Sequence, residues 1–182
     1  MTQPYDVTVL GAGPAGYVAA VRAAQLGLKT AVVERDKFGG VCVYEGCIPT
    51  KALLKNAEIV HLVQSRAKEF GLSFDNLSVD YAVAFKRSRR TSDRLMKGIQ
   101  HLFKANDIAV LEGSGTIVSS NQLQVALNDG GQATVETRNL LVATGARPRS
   151  IPLVQQRTQP RFVPVSSSDI EQGPDDISHH VV

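Results

Sequence analysis

The chain has 182 residues, with 20 Lys and Arg against 17 Asp and Glu and a formal net charge of +3. That length suits one domain with a real core, or one domain and a tail. The mild charge does not argue for nucleic acid, no stretch approaches the ~20 apolar residues of a membrane span, and two cysteines are too few for a disulfide scaffold. Met1 to Asp6 carry no basic run and lead directly into a strand pattern. No signal peptide is therefore read, and a cytoplasmic chain is expected.

Tyr5 to Leu10 is short, β-branched and apolar, as a buried parallel strand should be. Gly11-Ala12-Gly13-Pro14-Ala15-Gly16 follows it. A helical pattern then runs from Tyr17 to Leu26 and is closed by Gly27 as a C′ residue. Lys29 to Glu34 is the second strand. This strand, turn, helix and strand form the unit that a dinucleotide-binding fold requires. In it Gly11 permits the tight turn, Gly13 lets the backbone approach a pyrophosphate, and Gly16 lets the helix pack on the strand. The phosphates would lie at the helix N-terminus. Glu34 ends the second strand, 18 residues after Gly16, where an acid can hydrogen-bond a ribose hydroxyl. The motif alone does not choose between FAD and NAD.

The next stretch, Gly39 to Lys51, holds the only two cysteines, Cys42 and Cys47, with four residues between them. Pro49 opens an apolar-periodic run through Ala52, Leu53, Leu54, Ala57, Ile59, Val60 and Leu62. Proline belongs in a first helical turn, so Cys47 is expected at or just before a helix N-terminus. The positive end of that helix favours a thiolate. Cys42, on the preceding loop, is near enough in sequence to pair with it, with Gly46 giving a tight connection. A redox-active dithiol is one reading. Two buried structural cysteines, or half of a zinc site, are the others. Zinc needs two more ligands, and no second Cys pair or His pair has ligand spacing.

Residues 49 to about 70 read as a helix and 71–79 as loop or short extended chain. A second long helix runs from 80 to about 105, with Tyr81, Val83, Ala84, Leu95, Ile99, Leu102 and Phe103 as candidate core residues. Lys86, Arg87, Arg89, Arg90, Arg94, Lys97 and Lys104 make it basic. That basic run is read as a solvated face, or a patch facing an acidic partner, since no aromatic stacking set accompanies it. From Ile108 to Gly145 short strands are expected: IAVLEG, SGTIVS, LQVAL and ATVETRNLLVATG. Asn128-Asp129-Gly130-Gly131 is a hairpin signal between the last two. Residues 151–182 carry Pro152, Pro160, Pro164 and Pro174 with runs of Gln and Ser, and read as a connector or disordered tail after a domain of residues 1–150. His179-His180 is read as part of that tail rather than as a metal site.

GAGPAG after a first strand, VVE closing the second, GGVCVYEGCIPTKALL and LLVATGARPRSIP together resemble the flavoprotein pyridine nucleotide-disulfide oxidoreductases. Gly46 to Leu54 is most similar to the dihydrolipoamide dehydrogenases among them; glutathione and mercuric reductases share the frame. The resemblance covers about residues 4–153. It implies an α/β fold: a Rossmann-like FAD-binding domain of parallel sheet, helices and an antiparallel β-meander, incomplete relative to the family. It implies FAD as the dinucleotide and NAD as the family's co-substrate. Gly11, Gly13, Pro14, Ala15 and Gly16 would take the pyrophosphate and Glu34 the adenosine ribose. Gly40, Lys51, Thr144 and Gly145 would lie along the cofactor.

The resemblance also implies roles for the dithiol. Cys47 would be the thiol next to the flavin, Cys42 the interchange thiol that meets a small dithiol or a lipoyl domain, and Lys51 a support for the reduced flavin. The full-length family would be homodimeric, with no nucleic-acid or membrane partner. Tyr44 and Glu45 depart from the Asn and neutral residue usual between the cysteines, and a carboxylate there should oppose thiolate formation. A second GxGxxG, a late Gly-Asp segment and a C-terminal His-Glu pair are not found, so full turnover with NAD is not expected of these 182 residues. His61, His101, His179 and His180 match none of that pair. Val165 to Ile170 loosely resembles the connector to a nicotinamide domain. A non-catalytic flavin-binding or interaction module is the alternative.

Overall fold

The computed structural model describes residues 4–146. All of its elements lie within the unit Met1–Gly145. The tail after residue 150, with Val165 to Ile170 and His179-His180, lies outside the described residues.

Strand β1 (Tyr5–Leu10) enters the Gly-rich turn and helix α1 (Pro14–Gln25). The helix begins three residues earlier than its apolar pattern suggests, because Pro14-Ala15-Gly16 already form its first turn, with proline where its missing N–H is harmless. Leu26 caps it and Gly27, at φ +83°, turns the chain away. Strand β2 (Thr30–Glu34) follows. Helix α2 (Gly40–Tyr44) and helix α3 (Cys47–Arg66) come next, and a 3₁₀ turn (Ala67–Phe70) continues α3. Residues 71–79 form no helix or strand. Helix α4 (Tyr81–Ala105) starts at Asp80, whose carboxylate accepts the N–H groups of Ala82 and Val83 at 2.8 and 3.3 Å. Such a cap is typically worth about 1 kcal/mol.

Strands β3 (Ala109–Ser119), β4 (Gln122–Leu127) and β5 (Gln132–Val142) complete the sheet. β1 runs parallel to β2 and to β5, and β2 runs parallel to β3. β4 lies antiparallel between β3 and β5. The five strands thereby close into a barrel in the order β1-β2-β3-β4-β5. The parallel strands and the antiparallel meander are both present, and the barrel closure that joins them is an addition to the expected sheet. The structure corrects the expectation of two short strands, IAVLEG and SGTIVS, which are a single strand. β3 pairs with β2 as far as Glu112 and with β4 from Gly113 onward. A Cβ on Gly113 would stand 2.3 Å from the Ala126 carbonyl oxygen, and one on Gly115 2.6 Å from Leu10 Cδ1. The strand changes partners where only glycine fits, as strands that turn a sheet corner do. The Asn128 to Gly131 hairpin is as expected, with Gly130 at φ +94° and Leu127 N–H donating to Gly131 O at 2.8 Å.

Two apolar clusters hold this together. Val9, Ala12, Ala20, Val32, Phe38, Val43, Ile99, Phe103 and Ile108 pack between the parallel strands and the helices. Leu10, Val33, Leu123, Val125 and Val135 form the second cluster, across β1 to β5. Phe38 and Phe103 meet edge to face at 5.7 Å. Of the expected α4 core residues, Ala84, Ile99 and Phe103 are buried, whereas Tyr81, Val83, Leu95 and Leu102 are exposed. Ser88 and Ser92 are fully buried instead, because α4 lies close against its neighbours on the face that carries them. α3 is more exposed still: Leu54, Ile59 and Leu62 all face outward.

Candidate functional site

The site is assembled from three loops. The first is the Gly-rich turn. Gly11 sits at φ +102°, and a Cβ there would stand 2.4 Å from the Ala143 carbonyl oxygen and 3.0 Å from Thr144 Cα. A Cβ on Gly16 would stand 1.8 Å from the Gly11 oxygen. Both positions admit only glycine, one for its backbone and one for its packing. Gly13 differs: nothing lies within 4 Å of where its Cβ would be. Gly13 is also the N-cap of α1, and no side chain caps that end. An uncapped helix N-terminus beside open backbone is a fitting cradle for a pyrophosphate. Pro14 and Ala15, in the first turn, are exposed.

Glu34 closes the turn from the other side. Its Oε2 accepts the Ala12 N–H at 2.7 Å and its Oε1 accepts the Asp36 N–H at 2.9 Å. A carboxylate has about four acceptor positions, so both oxygens keep a lone pair for a ribose hydroxyl. The carboxylate therefore shapes the Gly-rich turn and keeps acceptor capacity beyond it.

The second loop is the cysteine segment. Cys42 lies on α2, not on a loop as expected. Gly39 at φ +90° and Gly40 at φ +58° reverse the chain and start that short helix. Cys47 is the first residue of α3, as the position of Pro49 predicts, and Pro49 is buried in the same turn. Gly46 N–H donates to Val41 O at 2.6 Å, which folds the two helices against each other. Both cysteines are free thiols, Cys42 half-buried and Cys47 exposed. Their side chains hydrogen-bond, and this holds the Cys42 thiol above its ordinary pKa. Burial and the charge of Cys47 push the same way; the Cys47 backbone N–H and the Lys51 ammonium oppose them. Lys51 lies one helical turn after Cys47, on the same face of α3. The expected opposition from Glu45 is not among these causes: Cys47 itself holds the proton on Cys42.

The two loops touch. Gly39 N–H donates to Ala12 O at 2.8 Å, and a Cβ on Gly40 would stand 3.0 Å from Gly13 Cα. The third loop, Ala143 to Gly145, joins them through Gly11, and Ala143 N–H donates to Leu10 O at 2.8 Å. Thr144 and Gly145 are exposed beside the turn, Gly145 at φ +74°. The structure thus gathers Gly11, Gly13, Gly16, Glu34, Gly40, Cys42, Cys47 and Thr144 beyond the carboxyl ends of the parallel strands β1, β2 and β5.

Sequence reasoning missed Gly39, which is buried and anchors the cysteine helix to the Gly-rich turn. The Gly39-Gly40 doublet was its signal. It also missed Arg87 and Arg89, counted with a solvated basic face. Arg87 Nη1 donates to Ala52 O at 3.1 Å and Arg89 Nη2 to Tyr44 O, so both tie α4 to the cysteine segment. Among the described residues no cluster of His, Cys, Asp and Glu could hold a metal ion, and no helix is long and apolar enough to cross a membrane.

A family model described as pyridine nucleotide-disulphide oxidoreductase matches residues 5–172. The chain is 51% identical over 148 residues to a dihydrolipoyl dehydrogenase of Mycobacterium tuberculosis, covering 81% of this chain and 32% of that protein. It is 45% identical over 148 residues to a dihydrolipoyl dehydrogenase of Chlorobaculum parvum, covering 81% and 31%. The chain thus spans about a third of the length of these relatives. In fold it matches the HOCl-induced flavoprotein disulfide reductase RclA of Escherichia coli, with a TM-score of 0.66 at 24% identity over 81% of this chain and 30% of that one. With its Gly-rich turn, its paired cysteines and the motifs around them, this chain belongs to the pyridine nucleotide-disulphide oxidoreductase family of enzymes.

Proposed function

We propose that the chain is the FAD-binding, dithiol-bearing part of a dihydrolipoyl dehydrogenase-like oxidoreductase. One observation carries the reading: the Gly39–Ala12 hydrogen bond and the Gly40–Gly13 contact seat the cysteine helix directly on the phosphate loop. A dithiol meant only for structure has no reason to be built onto a dinucleotide cradle.

Gly13, with the first turn of α1, would hold the pyrophosphate, and Glu34 the adenosine ribose. Lys51, Thr144 and Gly145 would lie along the rest of the cofactor. When bound, FAD supplies a two-electron acceptor beside the dithiol. The chain's own residues do the sulfur chemistry. In the disulfide state Cys42 takes the attack of a substrate thiolate, forming a mixed disulfide and releasing Cys47 as a thiolate at the N-terminus of α3. The second substrate thiol then displaces Cys42, leaving oxidised substrate and a Cys42/Cys47 dithiol. In the reduced protein Cys42 keeps its proton and Cys47 sits at the positive helix end, which divides the labour between the two sulfurs. Lys51 places a cation near enough to Cys42 to favour its thiolate. The substrate would be a small dithiol or a lipoyl domain, with NAD as the final acceptor in the whole protein. That protein would be a cytoplasmic homodimer.

The purified chain, oxidised and loaded with FAD, tests this. After one equivalent of dihydrolipoamide and removal of the small molecules, the protein's own free thiols should have risen by two, and Cys42→Ser should show no rise. A chain that binds no FAD, or gains no thiols, contradicts the reading.

A further inference from the structure

The last residue of α2 is Tyr44, and the last carbonyls of a helix have no partner within it. Here the partner comes from a different helix. Arg89 of α4 donates from Nη2 to the Tyr44 carbonyl and to Ser92 Oγ at 3.2 Å. Its guanidinium also lies over the Tyr44 ring, 5.1 Å from the centroid, and 5.9 Å from that of Phe85. Lys37 Nζ stands 5.5 Å from the Tyr44 ring centroid. Tyr44 is thus held by its carbonyl and its ring, and it stands two residues after Cys42 and three before Cys47. Arg89 Nε is buried without a hydrogen-bond partner among the described residues. An orphaned donor is a standing cost, so stability alone is a poor account of why this arginine is placed here.

We infer that Arg89 is a positioning residue for the dithiol: by holding Tyr44 it fixes the end of α2 and with it the separation of Cys42 and Cys47. The inference rests on the redox reading of that pair. A guanidinium suits the task because it can donate in its plane and stack through its face at once, which an ammonium cannot. Arg87, holding Ala52 O, fastens the α3 side of the same segment. Released from Arg89, the short helix would fray at Tyr44. Each thiol would then spend less time where the other can reach it, and the effective concentration that drives ring closure would fall.

The test is the thiol–disulfide equilibrium of the purified chain in glutathione buffers. In it two protein thiols and one oxidised glutathione give one intramolecular disulfide and two reduced glutathiones. Quenched samples are read by mass mapping of Cys42 and Cys47. Arg89→Ala should lower the equilibrium constant for disulfide formation about tenfold, as lost preorganisation would. Arg89→Lys should lower it about threefold, because charge and ring contact survive but the paired geometry does not. Arg90→Ala, an exposed neighbour, should leave it unchanged. Tyr44→Ala should lower it too, and the Arg89→Ala, Tyr44→Ala double variant should fall short of the sum of the singles. Should Arg89→Ala fail to fold, the Arg89→Lys value decides alone. An equilibrium constant unmoved in the folded Arg89 variants, or moved equally by Arg90→Ala, overturns the inference. If the unmodified chain forms no Cys42–Cys47 disulfide, the redox reading itself has failed.

Discussion

The Gly39 amide donates to the Ala12 carbonyl at 2.8 Å. Through this bond the loop before the cysteines and the loop after the first strand become one structural unit. Each half has its own logic in the chain, a Gly-rich turn at a helix N-terminus and a hydrogen-bonded thiol pair. Their meeting makes electron transfer between sulfur and a bound dinucleotide physically reasonable.

Gly11→Ala should separate the roles of the glycines. The new methyl would meet Ala143 O and Thr144 Cα while the backbone sits at φ +102°. Strain of about 1–3 kcal/mol is expected, with FAD affinity falling at the same time because Thr144 must move. Gly27→Ala, at φ +83° with no neighbour within 4 Å, should lose stability without losing affinity. Urea unfolding and flavin fluorescence titration of the two variants check this.

Glu34→Gln should weaken the loop before any ligand arrives. The carboxylate accepts from Ala12 and Asp36 through its two oxygens. An amide can accept through only one, so one backbone N–H loses its partner and the other loses a charged one. Stability should fall by about 1–3 kcal/mol. The measurement is unfolding of the FAD-free chain, where no ribose contact can contribute.

The fold was legible where one local rule decides it. Tyr5–Leu10 follows from its apolar, β-branched run, and α4 from its helical pattern, although four of its seven expected core residues are exposed. Cys47 at the head of α3 follows from Pro49. Partner switching was not legible: β3 reads as two strands because Gly113 and Gly115 interrupt its pattern, and only the approach of Ala126 and Leu10 shows why glycine stands there. The closure into a barrel depends on that same bend. Arg89 was unreadable for another reason: a basic residue facing a carbonyl 45 positions away looks, in sequence, like any other on a charged helix.

The pH dependence of Cys42 has a definite sign. Its thiol is held above the ordinary value chiefly by the Cys47 side chain, then by burial. The folded state thus favours the protonated form. Whatever stability this brings is present below the ordinary thiol pKa and is lost as the pH rises through the raised one. Iodoacetamide modification of Cys42 in the reduced chain, followed by mass mapping, should titrate later than in a denatured control. Cys47→Ala should move the inflection down, and Lys51→Met should move it up, since the lysine charge pulls the other way.

The outward apolar side chains of α3, Leu54, Ile59 and Leu62, set an expectation for assembly. If a second copy of the chain covers them, Ile59→Glu should place a charge in that contact and weaken association at least tenfold, as sedimentation equilibrium would show. The same substitution should leave FAD affinity unchanged, because Ile59 lies twelve residues beyond Cys47 on α3 and away from the cradle.

The most direct test of the central claim is an anaerobic titration of the FAD-loaded chain with dithionite, followed by visible absorbance. If the sulfurs and the flavin share one site, the first two electrons should reduce the Cys42–Cys47 disulfide and raise a long-wavelength thiolate-to-flavin band, which Cys47→Ser abolishes. Flavin that stays bound yet bleaches directly, with no such band, would contradict the account.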